Sequence, residues 1–475
     1  MTKFHPNDFL QSAHNAIKNA QLQTAITRAS GNANQGRDAV IGELGHPDVL
    51  RQQARAARLR GLQELPELLE QVERKISEVG GTVLWAVDSG DANRHVLNIC
   101  QKHNLTRGVK AKSMVTEEIG LVPVLEEKGI EMVETDLGEF IVQIADDSPS
   151  HIVMPVMHMT QEAVRDRFMD KLDMPYTDTA EEMTAFARET LRLKFLQAEF
   201  GISGANFIIA ETGHIVTVTN EGNGRLSTGV PPVHIALVGI EKVIPTWEDF
   251  ITLLQLLTRS STGQRVNVYA NAVFGPSRPG TGDGPDHFYL ILLDNGRTDI
   301  YNSEYAEALA CIRCGACLNI CPVFRSVGGH AYGAVYSGPI GSVITPLLKG
   351  KENAAVLPFA SSLCGACKEV CPVQIDLPHM LLLLRRDLES KQGVVWKTAL
   401  KGFGAGFGHP LLYGASTQAT RSLLSREQEV AEADKEGGDK PMIHGLPFPA
   451  NGWTDYRDFP AFAKERFRDW WKRNR

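Results

Sequence analysis

Four cysteines stand within fourteen residues of "CIRCGACLNICPVF" (311–324), and a proline follows the last of them. Cys311, Cys314, Cys317 and Cys321-Pro322 match C-x2-C-x2-C-x3-C-P, the spacing that bacterial-type proteins use to hold iron–sulfur cubanes. The physical reason is reach. Three cysteines at i, i+3 and i+6 on a tight loop can wrap three corners of one cubane, while the fourth leaves on a helix and points elsewhere. In two-cluster ferredoxins that fourth thiolate serves the other cluster, so a second run is expected. "SSLCGACKEVCPV" supplies it, with Cys364, Cys367 and Cys371-Pro372.

Crossed ligation gives a first cluster Cys311, Cys314, Cys317 and Cys371. The second receives Cys321, Cys364 and Cys367 and is one thiolate short; where its fourth cysteine belongs, three residues before Cys364, stands Ser361. The expectation is one [4Fe–4S] cluster and a second that is either [3Fe–4S] or [4Fe–4S] with a non-thiolate ligand. Ser361 oxygen, water or a partner's group could serve the odd iron. Zinc would take four thiolates in a tetrahedron and leave the other cysteines and both Cys-Pro steps unexplained. Disulfides do not suit a reducing compartment. The remaining Cys100, in "HVLNIC", reads as a buried residue on an apolar helix face.

A second informative stretch is "ETGHIVTVTNEGNGR" (211–225). Its plain reading is a hairpin turning at Gly213, followed by a glycine-rich loop through Gly222 and Gly224. Its functional reading is a polar pocket at strand ends lined by Glu211, Asn220, Glu221, Asn223 and Arg225. "GPSRPGTGDGPDHFYL" (275–290) has anion-cradling glycines and Arg278, but it runs into a strand, which supports neither a dinucleotide site nor a P-loop. It reads as a loop packing near the cysteines. His151 and His158 read as hydrogen-bonded structural residues, because no spacing completes a metal site around them.

The elements that must position these residues follow from periodicity. Residues 1–65 read as a helical segment. From "GTVLWAVD" to "HFYLILLDN", β-branched runs alternate with helical stretches, which implies an α/β layer with a largely parallel sheet over 66–298. "EFIVQIA" and "HIVMPVM" belong to the expected strands. A long helix opens at Thr179, with Glu182 completing a capping box. The strands then stop, and residues 299–390 hold the seven cysteines among short helical pieces. Residues 391–475 carry a charged linker, "SREQEVAEADKEGGDKP", and a closing helix. With Pro460 in the first turn of that helix, Ala463, Phe467, Trp470 and Trp471 share a face that packs on the chain's own core or docks a partner.

The chain of 475 residues is 43% hydrophobic and 22% charged with a formal charge of -7, an ordinary soluble composition without the basic excess of a nucleic-acid binder. Its start lacks the apolar run of a signal peptide, and no apolar stretch approaches the length of a membrane span. The expected location is cytoplasmic.

The paired cysteine runs, "GGHAYG…GPIGSV", "ANFIIAETGHIVTVTNEGNGRLSTG" and "GWTDYRDFPAFAKERFRDWW" together resemble the lactate utilisation protein B family over nearly the whole chain. The resemblance implies an α/β LUD domain of the NagB/RpiA/CoA-transferase type, then an α-helical ferredoxin-like iron–sulfur domain and a helical tail. It also implies a role in the oxidation of L-lactate to pyruvate, alongside lactate utilisation proteins A and C; the two cysteine runs and the lack of a flavin or nicotinamide fingerprint then point to electron transfer, the alternatives being a catalytic subunit that binds lactate or a cofactor in the LUD pocket, or a redox-sensing scaffold. Glu211 as a covalent nucleophile has only fold-level analogy with CoA transferases behind it.

Overall fold

The computed structural model describes residues 5–281, 283–389, 394–424, 442–446, 451–454, 457–460, 463 and 465–475. It divides into two compact units, Met1–Leu388 and Glu389–Arg475. Among the described residues no helix is long and apolar enough to cross a membrane.

Ten strands build the first unit: β1 Thr82–Ala86, β2 Arg107–Lys110, β3 Glu131–Glu134, β4 Phe200–Ser203, β5 Phe207–Ile209, β6 His214–Thr219, β7 Val233–Gly239, β8 Val243–Ile244, β9 Tyr269–Val273 and β10 His287–Leu293. Six of them form a sheet in the order β1-β10-β7-β4-β2-β3, and every neighbouring pair is parallel. The central strand β7, V-H-I-A-L-V-G, is buried at every position, which is why its sequence lacks polar alternation. A second sheet, β8-β5-β6-β9, contains the antiparallel β5–β6 hairpin, and Gly213 turns it at φ +78°.

Four helices precede the sheet: α1 Phe9–Lys18, α2 Ala20–Gly42, α3 Pro47–Gln63 and α4 Leu65–Glu78. Helix α2 lies between the helix Trp247–Thr262 and the helices Ala316–Ile320, which carries Cys317, and Pro322–Val327, which Cys321 precedes. Phe9, Ala54, Leu253, Phe324 and Leu381 consequently share one apolar core. The core runs without a break across the positions near 65 and 298 where the sequence texture changes.

Several expected elements take another form. "EFIVQIA" is part of the helix Leu137–Ile144, capped by Asp136, whose carboxylate accepts from Gly138 N–H at 3.1 Å and Glu139 N–H at 3.2 Å. A short apolar run fits a buried helix as well as a strand, and here the cap decided. "HIVMPVM" forms turns because His151 Nδ1 accepts from Val153 N–H and Met154 N–H, both at 3.0 Å. The segment after Asn220 is not an open glycine loop but the helix Asn223–Gly229. The loop from Gly275 packs at the end of α4, where a Cβ on Gly275 would come within 2.6 Å of Val79, and not beside the cysteines. Thr179 caps the helix Ala180–Gln197, its hydroxyl accepting from Glu182 N–H at 3.4 Å, but the box is not closed: Thr179 N–H donates to Thr177 Oγ1 at 3.1 Å, and the Glu182 carboxylate takes the Thr177 hydroxyl instead.

In the second unit the helices Val394–Gly408 and Pro410–Leu424 are followed by a short closing helix, Phe467–Asn474. Pro460 does not begin that helix; it sits in a two-residue strand, Phe459–Pro460, paired with Met442–Ile443. The rings of Phe467, Trp470 and Trp471 lie together, with Phe467 5.9 Å from Trp470 and 5.6 Å from Trp471, and all three are exposed. The charged linker at 425–441 falls outside the described residues.

Candidate iron–sulfur centres and an adjoining cleft

The two cysteine runs adopt one backbone shape twice. Arg313 and Leu363, each directly before a cysteine, have φ of +58° and +56°. Gly315 and Gly365, each directly after it, have φ of +78° and +87° and open the short helices Ala316–Ile320 and Ala366–Glu369. The left-handed conformation costs an Arg or Leu residue energy, and such strain collects at functional loops. In the first loop Arg313 N–H donates to Cys311 Sγ at 3.4 Å; in the second, Leu363 N–H donates to Ser361 Oγ at 3.1 Å. Ser361 therefore occupies the place in its loop that Cys311 occupies in the first.

Cys311, Cys314, Cys317 and Cys371 line one small cavity, walled by apolar side chains that include Ile312 and Ile340. Burial pushes the Cys314 and Cys317 thiols well up, and their neighbours Cys311 and Cys371 add to the effect. Cys371 is raised to about 11 by the same burial, against hydrogen bonds from Ile375 and Val373 N–H. Cys367 is raised to about 12, by burial first and then by Cys321 and Cys364. Cys321 is raised by burial and by Cys364, and Cys367 also bears on Cys317, so the remaining three thiols adjoin the four that line the cavity. Close-set buried thiols ionise poorly unless a metal takes their protons, so the donor chemistry fits iron–sulfur ligation. Cys364 is exposed and Ser361 half-buried, so the second set opens towards the surface.

A buried guanidinium anchors the first loop. Arg58 of α3 donates to Leu309 O at 2.9 Å and Ala310 O at 3.1 Å, the carbonyls just before Cys311. It also donates to Glu241 O at 2.5 Å and Val243 O at 3.1 Å. Burial draws its pKa down to about 10, and Glu241 opposes that shift. Next to it, Arg297 holds Glu118 through two bonds of 2.9 Å and Glu241 through one of 2.6 Å, while Tyr336 Oη donates to Glu118 at 2.7 Å. Burial disfavours the Glu241 charge, but Arg297, Lys242 and Arg313 outweigh it and hold the carboxyl at about 2.

A cleft of about 320 Å³ opens beyond the ends of β2 and β4, at Ala111–Ser113 and Gly204–Asn206. Open parallel sheets place ligands at the carboxyl ends of their strands. Of the polar residues singled out in sequence, Asn220, Glu221 and Asn223 line this cleft; Glu211 and Arg225 do not. Glu211 instead accepts from Trp247 N–H at 3.1 Å and caps the helix Trp247–Thr262. Arg225 is exposed on the helix Asn223–Gly229. Three cations that sequence reading passed over also line the cleft: Lys112, Lys242 and Arg313. Arg313 could have been noticed from its place inside the cysteine run. Lys242 carries no comparable sequence signal.

His151 is fully buried and held neutral, its pKa lowered to about 3 by burial and by Lys112. It packs on the first loop, where a Cβ on Gly315 would lie 3.0 Å from its Cε1. His158 meets Asp147 and His330 through the fold alone. Its two nitrogens are engaged by Asp147 at 3.1 Å and Ser150 Oγ at 2.8 Å, and His330 Nε2 bonds Ser148 O at 2.7 Å. The trio joins the glycine-rich connector to the α/β layer. Cys100 is buried at 2% exposure, and burial raises its thiol to about 12.

Three family models match in succession: "LUD domain" over residues 69–293, "4Fe-4S dicluster domain" over 307–375, and "Lactate utilisation protein B, C-terminal" over 386–475. Proteins described as lactate utilization protein B are similar to the chain almost end to end. The one from Oceanobacillus iheyensis is 43% identical over 96% of this chain and 94% of its own. The one from Shouchella clausii is 43% identical over 98% and 96%, and the one from Bacillus subtilis 42% identical over 98% and 96%. With the two cysteine loops, the parallel α/β layer and this likeness along its whole length, the chain belongs to the lactate utilization protein B family.

Proposed function

We propose that the chain is an iron–sulfur electron-transfer protein of L-lactate utilisation, acting in the oxidation of L-lactate to pyruvate within an assembly that includes lactate utilisation proteins A and C. The observation that carries this reading is the gathering of four cysteines about one cavity, with the remaining three adjoining them. Cys311, Cys314, Cys317 and Cys371 would hold a [4Fe–4S] cluster. Cys321, Cys364 and Cys367 would hold the second, with Ser361 at the fourth position. Bound there, clusters of this kind supply single-electron transfer. The chain's own residues wall the first site with apolar side chains, fix its loop through Arg58 and leave the second site open at Cys364. Phe467, Trp470 and Trp471 offer an exposed aromatic face of the kind that anchors a partner.

The assigned domains are an N-terminal helical segment (1–65), the LUD α/β domain (66–298), the iron–sulfur domain (299–390) and the C-terminal segment (391–475). A second reading, in which the cleft makes this the subunit that binds lactate or an organic cofactor, is favoured by the cations on the cleft's floor. Anaerobic purification tests the first reading. It expects iron and sulfide for two clusters, no stoichiometric zinc, and no lactate:dye reductase activity from the isolated chain. Stoichiometric zinc with little sulfide rejects it, and robust lactate oxidation by the isolated, cluster-loaded chain promotes the second.

A further inference from the structure

We propose that the cleft is an oxyanion site, in which Lys242 and Arg313 hold the carboxylate or phosphate of a small organic ligand directly beside the first cysteine loop. The inference deepens the electron-transfer reading and rests on it only for the identity of the neighbouring cluster.

Charge balance is the first argument. Lys242 and Arg313 line the cleft, and behind them the buried Arg58 and Arg297 meet the carboxylates of Glu118 and Glu241. Arg58 spends its donors on four backbone carbonyls. Arg297 takes both carboxylates, at 2.9 Å and 2.6 Å. What remains for Arg313 is Glu241 at 4.0 Å and the ring face of Tyr336, 4.4 Å from its guanidinium carbon. Its Nη1 is buried without a hydrogen-bond partner, although the side chain is only 9% exposed. Lys242 is 6% exposed; it feels the charge of Glu241, which Arg297 already pairs, and of Cys311, and makes no ion pair within 4.0 Å among the described residues. Buried cations left in this condition are costly unless a counter-charge arrives.

Position is the second argument. Arg313 lines both the cleft and the cavity of Cys311, Cys314, Cys317 and Cys371, whereas Lys242 lines the cleft alone. A positive charge serving only a cluster would have no reason to face the cleft. The cleft is also about 320 Å³, at the lower end of the range for small-molecule sites, and Thr219 and Asn223 give its wall hydrogen-bonding groups. An oxyanion on Arg313 would sit on the residue directly before Cys314 and two after Cys311, both of the first set. Its binding should therefore be felt by the first cluster.

The test uses the full chain, purified anaerobically with its iron and sulfide. Pyruvate, L-lactate, inorganic phosphate and flavin mononucleotide are each titrated by calorimetry. At least one is expected to bind once per chain and to change the EPR signal of the cluster held by Cys311, Cys314, Cys317 and Cys371. Lys242→Gln and Arg313→Gln should each weaken that binding tenfold or more. Binding by the first two probes assigns a carboxylate, and binding by the last two a phosphate. Should Arg313→Gln lose iron, Lys242→Gln carries the test. No binding by any probe, or binding unchanged in Lys242→Gln, overturns the proposal, and intact cluster spectra would then leave the electron-transfer reading standing. Lys242-dependent binding to a chain that holds zinc instead of clusters would do the reverse.

Discussion

Ser361 holds the N–H of Leu363 at 3.1 Å just as Cys311 holds the N–H of Arg313 at 3.4 Å. The matching φ values of Arg313 and Leu363 show that the second loop kept its shape when an oxygen took the place of a sulfur. Oxidised protein is expected to give a [3Fe–4S] EPR signal, and Ser361→Cys to suppress it by completing the site. Identical spectra from the two proteins would remove Ser361 from the ligand position.

Cys314 lies in the set of four, walled by apolar side chains. Cys314→Ala should lower the iron content by about one cluster while leaving the second cluster's signal in place. In the assembled complex it should abolish lactate turnover with the subunits still associated. Retained turnover would show that electrons bypass the first site.

Arg58 ties the segment before Cys311 to the β8 edge through four carbonyls. Each buried carbonyl left unpaired costs about 1–3 kcal/mol, so Arg58→Met, which strands four, should destabilise the protein by at least about 4 kcal/mol. Urea unfolding of the anaerobic protein measures this, and faster iron release from the first site should accompany it. Arg58→Lys, which keeps the charge but reaches fewer carbonyls, should recover part of the loss.

His234, the second residue of β7, is 1% exposed, with Nε2 2.8 Å from Ser203 Oγ, and burial draws its pKa down to about 3. The unfolded imidazole, near 6.5, takes up its proton first as the pH falls. Stability is therefore complete above 6.5 and declines through the window down to about 3, at up to about 1.4 kcal/mol per pH unit for this one group. Hydrogen exchange of the β7 amides at pH 7.5 and 5.5 should show the decline, and His234→Gln should flatten it by about one proton.

Trp470 and Trp471 are each 46% exposed beside Phe467. Replacing both tryptophans with alanine should reduce co-purification with partner subunits while leaving iron and sulfide content unchanged. Loss of iron instead would make the face a structural one.

What the sequence by itself determined is local. Cysteine spacing, the prolines after Cys321 and Cys371, the cap at Thr179 and the uniformly apolar β7 each act over a few residues, where chain geometry leaves little choice. That Cys371 would join Cys311, Cys314 and Cys317 about one cavity was legible too, because a cubane's size limits which cysteines can share it. Ambiguity began where length or periodicity was short: "EFIVQIA" fitted strand or helix, and the cap at Asp136 settled it. Tertiary structure alone decided the charged cluster beside the cleft. Arg58, Glu118, Lys242, Arg297 and Arg313 come from separate elements, and only the packing of α3, the parallel sheet and the cysteine loop into one core sets them side by side. Their chemistry depends on burial and on a mismatch between cations and carboxylates. Neither is a property of any one segment of chain, so neither could be read before the segments met.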